Sequence, residues 1–151
     1  MIKFLAVLLF FSISIKSFCQ DNPNYDKRLA DSLGADDYGM KSYVLVMLKT
    51  GEGKMDDKKK RDSIFYGHLQ NIKRLADIGK LIVAGPLFEN EKKYEGIFIL
   101  NVSTIEEATS LLGTDPAVKA KLLAPELYKW YGSAALPLYL KDYKRIAKKQ
   151  F

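Results

Sequence analysis

Two spacings of apolar residues recur along this chain, the spacing of strands and the spacing of helices. Short runs rich in β-branched and aromatic residues predict four strands, at Tyr43–Lys49, Leu81–Leu87, Gly96–Val102 and Glu126–Tyr131. Apolar residues three and four positions apart predict a helix over Ile64–Ile78, and Gly79 is a suitable residue to end it. A second helix is expected from a cap at Ser103 or Thr104 to about Leu112, and Asp115-Pro116 opens a short helical turn through Leu123.

The order of these elements is strand, helix, strand, strand, helix, strand, which predicts an α+β, ferredoxin-like antiparallel fold. Pro86 cannot donate a hydrogen bond to a neighbouring strand, so the second strand is expected at a sheet edge. We assign the domain to residues 41–134. A polar lead-in segment (20–40), with a short helix at Tyr25–Leu33, precedes the domain. A basic amphipathic helix at Pro137–Lys149, within residues 135–151, follows it.

The first residues have the order of a secretory signal. Lys3 precedes an apolar run, Phe4–Ile15, and small side chains flank Phe18 in Ser17-Phe18-Cys19. A helix needs about 20 apolar residues to span a bilayer, and this run is shorter. The sequence predicts a cleavable signal at residues 1–19, export to the periplasm or the extracellular space, and no stable membrane insertion afterwards. An uncleaved anchor and a lipoprotein modified at Cys19 are the alternatives.

The net charge and the cysteine content limit the partners and the reactive groups that the protein can have. The formal net charge is +6, and removal of the signal with Lys3 and Lys16 would leave a modest excess. This excess is only weak evidence for nucleic acid or an anionic membrane, and with export we expect no nucleic-acid partner. Much of that excess lies in Lys141–Lys149, which is either a solvated face or a surface-binding helix. Cys19 is the single cysteine, so the exported protein would contain no disulfide and no cysteine nucleophile or ligand.

The first predicted strand is apolar on both faces. Val44, Val46 and Leu48 alternate with Tyr43, Leu45 and Met47, which are apolar as well. An antiparallel sheet with one face in water should alternate apolar and polar residues. This pattern predicts a homodimer whose two sheets pack face to face.

His68 is the only histidine, and helical geometry turns it toward the sheet. It is either a core-edge side chain bonded to a backbone carbonyl or a general acid–base group, because imidazole exchanges protons near physiological pH. One histidine without a second soft ligand makes a poor zinc site, so we expect no metal. The sequence also has no phosphate loop and no nucleophile elbow, and no cofactor is expected.

Asp115 is the best placed carboxylate partner for His68. Its simplest role is the N-cap of the short turn that begins at Pro116. In the predicted fold the two main helices lie side by side on one face of the sheet, so the end of the second can approach the middle of the first. A carboxylate there would fix the tautomer of His68 and stabilise its cation.

Three blocks of the sequence resemble the YCII-related proteins, of the dimeric α-β barrel superfamily. They are YVLVMLKTG, GHLQNIKRLADIGKLIVAGPL and IEEATSLLGTDP, and the resemblance covers about Tyr43–Trp130. It implies a dimer with a His-Asp pair that falls on His68 and Asp115. It also implies a substrate pocket beside the Ala-Gly-Pro motif, here Ala84, Gly85 and Pro86. One branch of the family resembles cofactor-free dehydrochlorinases that act on chlorinated hydroxyquinols.

Two classes of function follow from these residues. In the first, the protein is a cofactor-free enzyme in which Asp115 orients His68 and His68 moves a proton on an unknown small molecule. In the second, the same pocket belongs to a non-catalytic, small-molecule-binding or accessory dimeric protein. Loss of turnover on substitution of His68 distinguishes the first from the second.

Overall fold

A computed structural model describes residues 22–149 of the protein. The predicted signal, Met1–Cys19, lies outside the described residues. The helices are α1 (Lys27–Leu33), α2 (Lys58–Asp77), α3 (Ile105–Leu112), α4 (Pro116–Lys119) and α5 (Leu140–Ile146), and a 3-10 helix at Leu136–Tyr139 precedes α5. The strands are β1 (Met40–Thr50), β2 (Leu81–Pro86), β3 (Tyr94–Leu100) and β4 (Leu123–Ser133).

The four strands form one antiparallel sheet in the order β2-β3-β1-β4. With one helical connection after β1 and another after β3, this is the predicted ferredoxin-like fold, and β2 lies at an edge as expected. β1 begins three residues earlier than predicted because Met40–Ser42 pair with Tyr131–Ser133 of β4. Long-range pairing of this kind extends a strand beyond its apolar run.

Local signals define the ends of α2 and α3. The Asp57 carboxylate accepts the Lys60 amide at the start of α2, and the Thr104 hydroxyl accepts the Glu107 amide at the start of α3. At the end of α2, Gly79 adopts φ +71°. The Gly79 amide donates to the carbonyl of Ala76, and the Lys80 amide donates to that of Leu75. These two bonds form a Schellman motif, so α2 ends where the glycine predicts.

The hydrophobic core lies between the helices and one face of the sheet. Buried aliphatic and aromatic side chains of β1 and β3 pack there against α2 and α3. The central members are Val44, Val46, Leu48, Leu75, Phe98, Leu100, Ala108 and Leu112. Because β1 and β3 are the two inner strands, this core fixes the position of α2, the helix that carries His68.

Two predicted helices are shorter in the structure. The turn that begins at Pro116 ends at Lys119 instead of Leu123, because Leu123 pairs with Thr50 as the first residue of β4. The C-terminal helix predicted at Pro137–Lys149 is divided into the 3-10 helix and α5, and Ala147 has an extended backbone. The Tyr139 hydroxyl, in the 3-10 helix, donates to the carbonyl of Ile82 in β2.

The lead-in segment is tied to the sheet. The Tyr131 hydroxyl of β4 donates to the Asp36 carboxylate, and this hydrogen bond raises the pKa of Tyr131 to about 12. Asp36 also accepts the amides of Tyr38 and Met40, and the Lys41 ammonium donates to the carbonyl of Leu33 at the end of α1. The last residue assigned to this segment, Met40, belongs to β1.

Among residues 22–149, no helix combines the length and the apolar character that a membrane span requires.

Gly51 is the position in the fold where an added methyl group has least room. The amides of Gly51 and Gly53 donate to the carbonyls of Leu122 and Lys121, both at 2.8 Å, and clamp the end of β1 to the segment between α4 and β4. A Cβ atom at Gly51 would lie 2.0 Å from the Lys121 carbonyl oxygen. We expect Gly51→Ala to lower the free energy of unfolding by about 2–3 kcal/mol, because the backbone must shift and weaken this clamp.

The matched control is Gly85→Ala, since no atom lies within 4 Å of the Cβ position at Gly85. We expect this variant to be as stable as the wild type, or more stable by up to about 1 kcal/mol. Urea denaturation measures both variants. Equal midpoints for the two would show that the clamp does not require glycine.

Candidate functional site

His68 lies on the face of α2 that is turned toward the sheet. Its ring stacks on Phe98 of β3, with ring centroids 6.0 Å apart and an angle of 22° between the ring planes. Phe65, one turn earlier on α2, meets the His68 ring edge-on at 6.2 Å. Only 12% of the His68 side chain is exposed. The two phenyl rings therefore restrict the orientation of the imidazole, while a small part of the ring still reaches the surface.

Asp115 is the N-cap residue of α4, as the sequence suggests. Its Oδ1 atom accepts the amides of Ala117 at 2.8 Å and Val118 at 3.4 Å. The side chain is 1% exposed, which is unusual for a carboxylate. The cap uses one carboxylate oxygen, which leaves Oδ2 for a second partner.

That partner is His68. The Asp115 Oδ2 atom lies 2.7 Å from the Nδ1 atom of the imidazole. The N-cap role and the His-pairing role, which the sequence offered as alternatives, are both present because each uses a different oxygen. The structure thus brings together two residues that are 47 positions apart in the chain.

The ionisation of Asp115 sets the direction of this hydrogen bond. Burial alone would raise the pKa of Asp115. The hydrogen bond and charge of His68, with the amides of Ala117 and Val118, outweigh burial and lower the pKa below its ordinary value. An ionised carboxylate can only accept, so Nδ1 carries the hydrogen and donates it. The neutral imidazole then has its lone pair on Nε2.

The Nε2 atom is the free end of the pair. Within residues 22–149 it makes no hydrogen bond, and no fully buried side-chain nitrogen or oxygen in that part of the chain lacks a partner. Nε2 therefore reaches solvent. A bound molecule could exchange a proton with this atom without displacing any protein group.

A glycine lets the two elements of the site approach each other. Gly67 precedes His68 on α2, and Pro116 follows Asp115 at the start of α4. A Cβ atom at Gly67 would lie 3.0 Å from the Pro116 Cγ atom, which is a tight contact. The absence of a side chain at Gly67 thus allows α4 to lie against α2, with Asp115 close to His68.

The Ala-Gly-Pro motif forms the last three residues of β2, beside this site. Ala84 pairs with Phe98, whose ring stacks on the His68 ring, and both side chains point to the helical face of the sheet. Pro86, two residues on, points to the same face, whereas Gly85 between them points to the opposite face. Ala84 and Pro86 are exposed. Two of the three predicted pocket residues therefore lie on the side of the sheet where His68 is found.

Three polar residues near the pair were not identified from the sequence. Asn71, only 7% exposed, places its Nδ2 atom 3.5 Å from Asp115 Oδ2, and its Oδ1 atom contacts Arg74 and Thr114. The available signal was position, because Asn71 lies three residues after His68 on the same side of α2. A polar residue within an apolar stripe is a candidate for a buried hydrogen-bonded role.

Two surface cavities lie away from the pair in the described residues. Across the described part of the chain, no group of three or more His, Cys, Asp and Glu side chains is arranged to hold a metal ion. One surface cavity of about 350 Å³ lies between α1 and Ala134–Ala135. Another of about 460 Å³ lies beside Lys49, Lys121 and Glu126. Neither cavity is lined by His68 or Asp115.

Among known proteins, this chain is distantly similar in structure to a solved dehydrochlorinase. That protein is the 5-chloro-2-hydroxyhydroquinone dehydrochlorinase of Burkholderia phenoliruptrix AC1100, in complex with 2,5-dihydroxybenzoquinone. The two chains are 19% identical, and the match covers 58% of this chain and 92% of that chain with a TM-score of 0.44. No protein-family model matches the chain. No curated protein matches it either.

Proposed function

We propose that this protein is a cofactor-free enzyme that uses His68 as a general acid–base on a small molecule. The observation that carries the proposal is the 2.7 Å contact between His68 Nδ1 and the buried, ionised Asp115, which leaves Nε2 open to solvent. A positioned base of this type typically contributes about 10²–10⁴-fold to a rate.

The proposed reaction begins with proton transfer from the substrate to Nε2. Asp115 stays ionised, keeps the Nδ1 hydrogen bond and stabilises the imidazolium that forms. The proton then returns to the product or leaves to solvent, which restores the neutral ring. The partly exposed Phe65 ring beside His68 suits a small planar or aromatic substrate better than a charged chain.

The resemblance of the sequence to the YCII-related proteins supports the same reading, and we propose membership of that family. Its dehydrochlorinase-like branch suggests the first compounds to test, namely hydroxylated aromatics with and without a halogen. For a halogenated substrate the expected reaction is elimination, in which the substrate loses a proton to His68 and a chloride ion to solvent.

A screen for turnover tests the proposed function. The purified protein, dialysed against a chelator, is incubated with a panel of chlorinated and unchlorinated hydroxyquinols and phenols, and products are followed by mass spectrometry and chloride release. We expect turnover without any added metal or nucleotide. Compounds that raise the melting temperature without being converted would instead favour a binding protein, and turnover that requires an added cofactor would contradict the proposal.

We also propose that the protein is a homodimer whose open sheet faces pack together. The face opposite the helices carries partly exposed apolar side chains on all four strands, namely Leu45, Met47, Val83, Ile97, Ile99, Tyr128 and Trp130. Trp130 and Tyr128 are 36% and 50% exposed, and water contact with such a surface is costly. A second copy of the sheet would cover these residues.

Sedimentation tests the dimer. The wild type is expected to sediment as a dimer at micromolar concentration, and Ile99→Lys, which places a charge in the centre of the open face, as a monomer. Glu106→Lys, on the exposed surface of α3, changes charge away from this face and should stay dimeric. A monomeric wild type would refute the proposed dimer.

Export is proposed from the amino-terminal sequence alone. The mature protein would begin at Gln20 and lack cysteine. The intact mass of the protein recovered outside the cytoplasm measures the cleavage site directly, and a mass that includes a lipid on Cys19 would replace this assignment by the lipoprotein alternative.

A further inference from the structure

The side-chain amide of Asn71 has only one orientation that satisfies its neighbours. Its Oδ1 atom lies 2.8 Å from Arg74 Nη2 and 3.3 Å from Arg74 Nε. A guanidinium group can only donate, so the atom of Asn71 that faces Arg74 must be the oxygen. The amino group of Asn71 therefore faces Asp115, where Nδ2 lies 3.5 Å from Oδ2.

Thr114 reinforces this orientation. Its hydroxyl lies 2.8 Å from Arg74 Nη2, 3.0 Å from Asn71 Oδ1 and 2.6 Å from the carbonyl of Leu111. The hydroxyl accepts from Arg74 and donates its own hydrogen to Asn71 or to Leu111. Arg74 is thus hydrogen-bonded to both Asn71 and Thr114. The contact between these two side chains joins α2 to the residue that precedes Asp115.

The dipole of the Asn71 amide is aligned between a cation and an anion. Its carbonyl end faces the Arg74 guanidinium, and its amino end faces the buried Asp115 carboxylate. A rotated amide would place Oδ1 beside Asp115 Oδ2, and two acceptors in a buried site repel each other. The cation on the surface of α2 therefore acts on the buried carboxylate through one intervening side chain.

We infer that Arg74 is a positioning residue for the His68–Asp115 pair, and that it acts through Asn71. Arg74 holds the Asn71 amino group toward Asp115, and this second donor helps to hold Asp115 Oδ2 against His68 Nδ1. The inference rests on the proposed function, because it concerns how that site presents the Nε2 lone pair. It assigns a role to a residue that makes no contact with His68.

The single histidine of the chain makes the inference measurable without a substrate. In a ¹⁵N-labelled protein, every imidazole signal comes from His68. We expect the wild type at mildly alkaline pH to show the Nδ1–H tautomer, with an Nδ1 hydrogen that exchanges slowly with water. In Arg74→Gln this exchange should be about tenfold faster or more, which corresponds to the loss of one charge-assisted hydrogen bond.

Two further variants isolate the route of the effect. Asn71→Leu keeps the approximate side-chain volume and removes the intervening amide, so it should speed the exchange as Arg74→Gln does. The double variant should be no faster than Asn71→Leu alone, because Arg74 acts through Asn71. If Asn71→Leu fails to fold, the comparison of Arg74→Gln with its control still decides the inference.

Lys73→Gln is the matched control. It removes one positive charge from the adjacent position of the same helix, where the lysine pairs with Asp77 on the surface. Its His68 signals should equal those of the wild type. Equal exchange rates in Arg74→Gln and Lys73→Gln would overturn the inference, since the effect would be absent or would reflect net charge alone. Arg74→Lys, which keeps the charge but not the two-pronged contact, should recover part of the protection.

The outcome is independent of the search for a substrate. Absence of turnover would remove the proposed function and leave the exchange rates of the variants as measured. Conversely, wild-type exchange in Arg74→Gln would remove the positioning role even in an active enzyme. Where a substrate is found, Arg74→Gln should lower kcat with little change in KM.

Discussion

Replacement of His68 by asparagine or glutamine is expected to reduce turnover by about 10²–10⁴-fold, the usual contribution of a positioned general base. Each replacement keeps a polar group near one of the two nitrogen positions of the imidazole. Asparagine places an amino group near the position of Nδ1 and can still donate to Asp115. Glutamine places its terminal group near the position of Nε2. Neither amide can take up a proton near neutral pH, so both variants should lose the reaction.

The pair of variants separates acid–base chemistry from packing. If His68 only supports the local structure through Asp115, the asparagine variant should remain active because it keeps the Asp115 contact. If His68 only binds the substrate through a hydrogen bond at Nε2, the glutamine variant should remain active. Initial rates on any converted compound of the panel, with unfolding midpoints as a check on the fold, provide the measurement. Activity in both variants would exclude His68 as the base.

Asp115→Ala is expected to cause the largest loss of stability among substitutions in the site, about 3 kcal/mol. About 1 kcal/mol of this comes from the missing cap of α4. The remainder comes from the buried donors of His68 and Asn71 that lose their acceptor, at about 1–3 kcal/mol. Asp115→Asn should restore the cap, because asparagine caps a helix as well as aspartate and fills the same space. Its amino group in place of Oδ2 cannot accept from His68 or Asn71, so the second part of the loss should remain.

The carboxylate contribution should disappear in acid. The pKa of Asp115 is lowered in the folded protein from its ordinary value of 3.8, so ionised Asp115 stabilises the fold at every pH above that value. As the pH falls below 3.8 and through the lower, folded-state pKa, the protonated carboxyl loses this contribution. The stability difference between the wild type and Asp115→Asn should shrink in this acid range.

Urea titrations at pH 7 and at several values below 4 measure this difference. The comparison with asparagine cancels the carboxylates common to both proteins, which also titrate in this range. A difference that stays constant down to pH 2.5 would mean that Asp115 carries no stabilising charge in the folded state.

The elements of the fold were predictable because each has a local cause. Apolar spacing located α2, and Gly79 and Thr104 located the ends of helices. The limits of β1 and β4 were not predictable in the same way, since pairs such as Met40 with Ser133 depend on residues more than 90 positions away. The start of the C-terminal helix was not predictable either, since the Tyr139 hydroxyl in the 3-10 helix is bonded to Ile82 in the distant edge strand.

The residues of the site also differ in how far the sequence predicts them. His68 and Asp115 could be proposed together because the fold places two helices side by side, and each residue has a chemistry that a sequence displays. The role of Asn71 could not be proposed in the same way. Its position three residues after His68 indicates a buried hydrogen-bonded residue, but only the contacts of Arg74 and Thr114 show which way its amide points. Amide orientation is a property of the hydrogen-bond network and has no sequence signal.

The contact between Gly67 and Pro116 bears on how this protein should respond to heat. Each member of the chemical pair has a neighbour in the steric contact, Gly67 beside His68 and Pro116 beside Asp115, so the main chains of α2 and α4 set the distance between the reacting groups. A change of that distance through the main chain requires α2 and α4 to move apart, which disrupts the packing of the Pro116 ring beside Gly67. Thermal inactivation should therefore coincide with cooperative unfolding and not precede it.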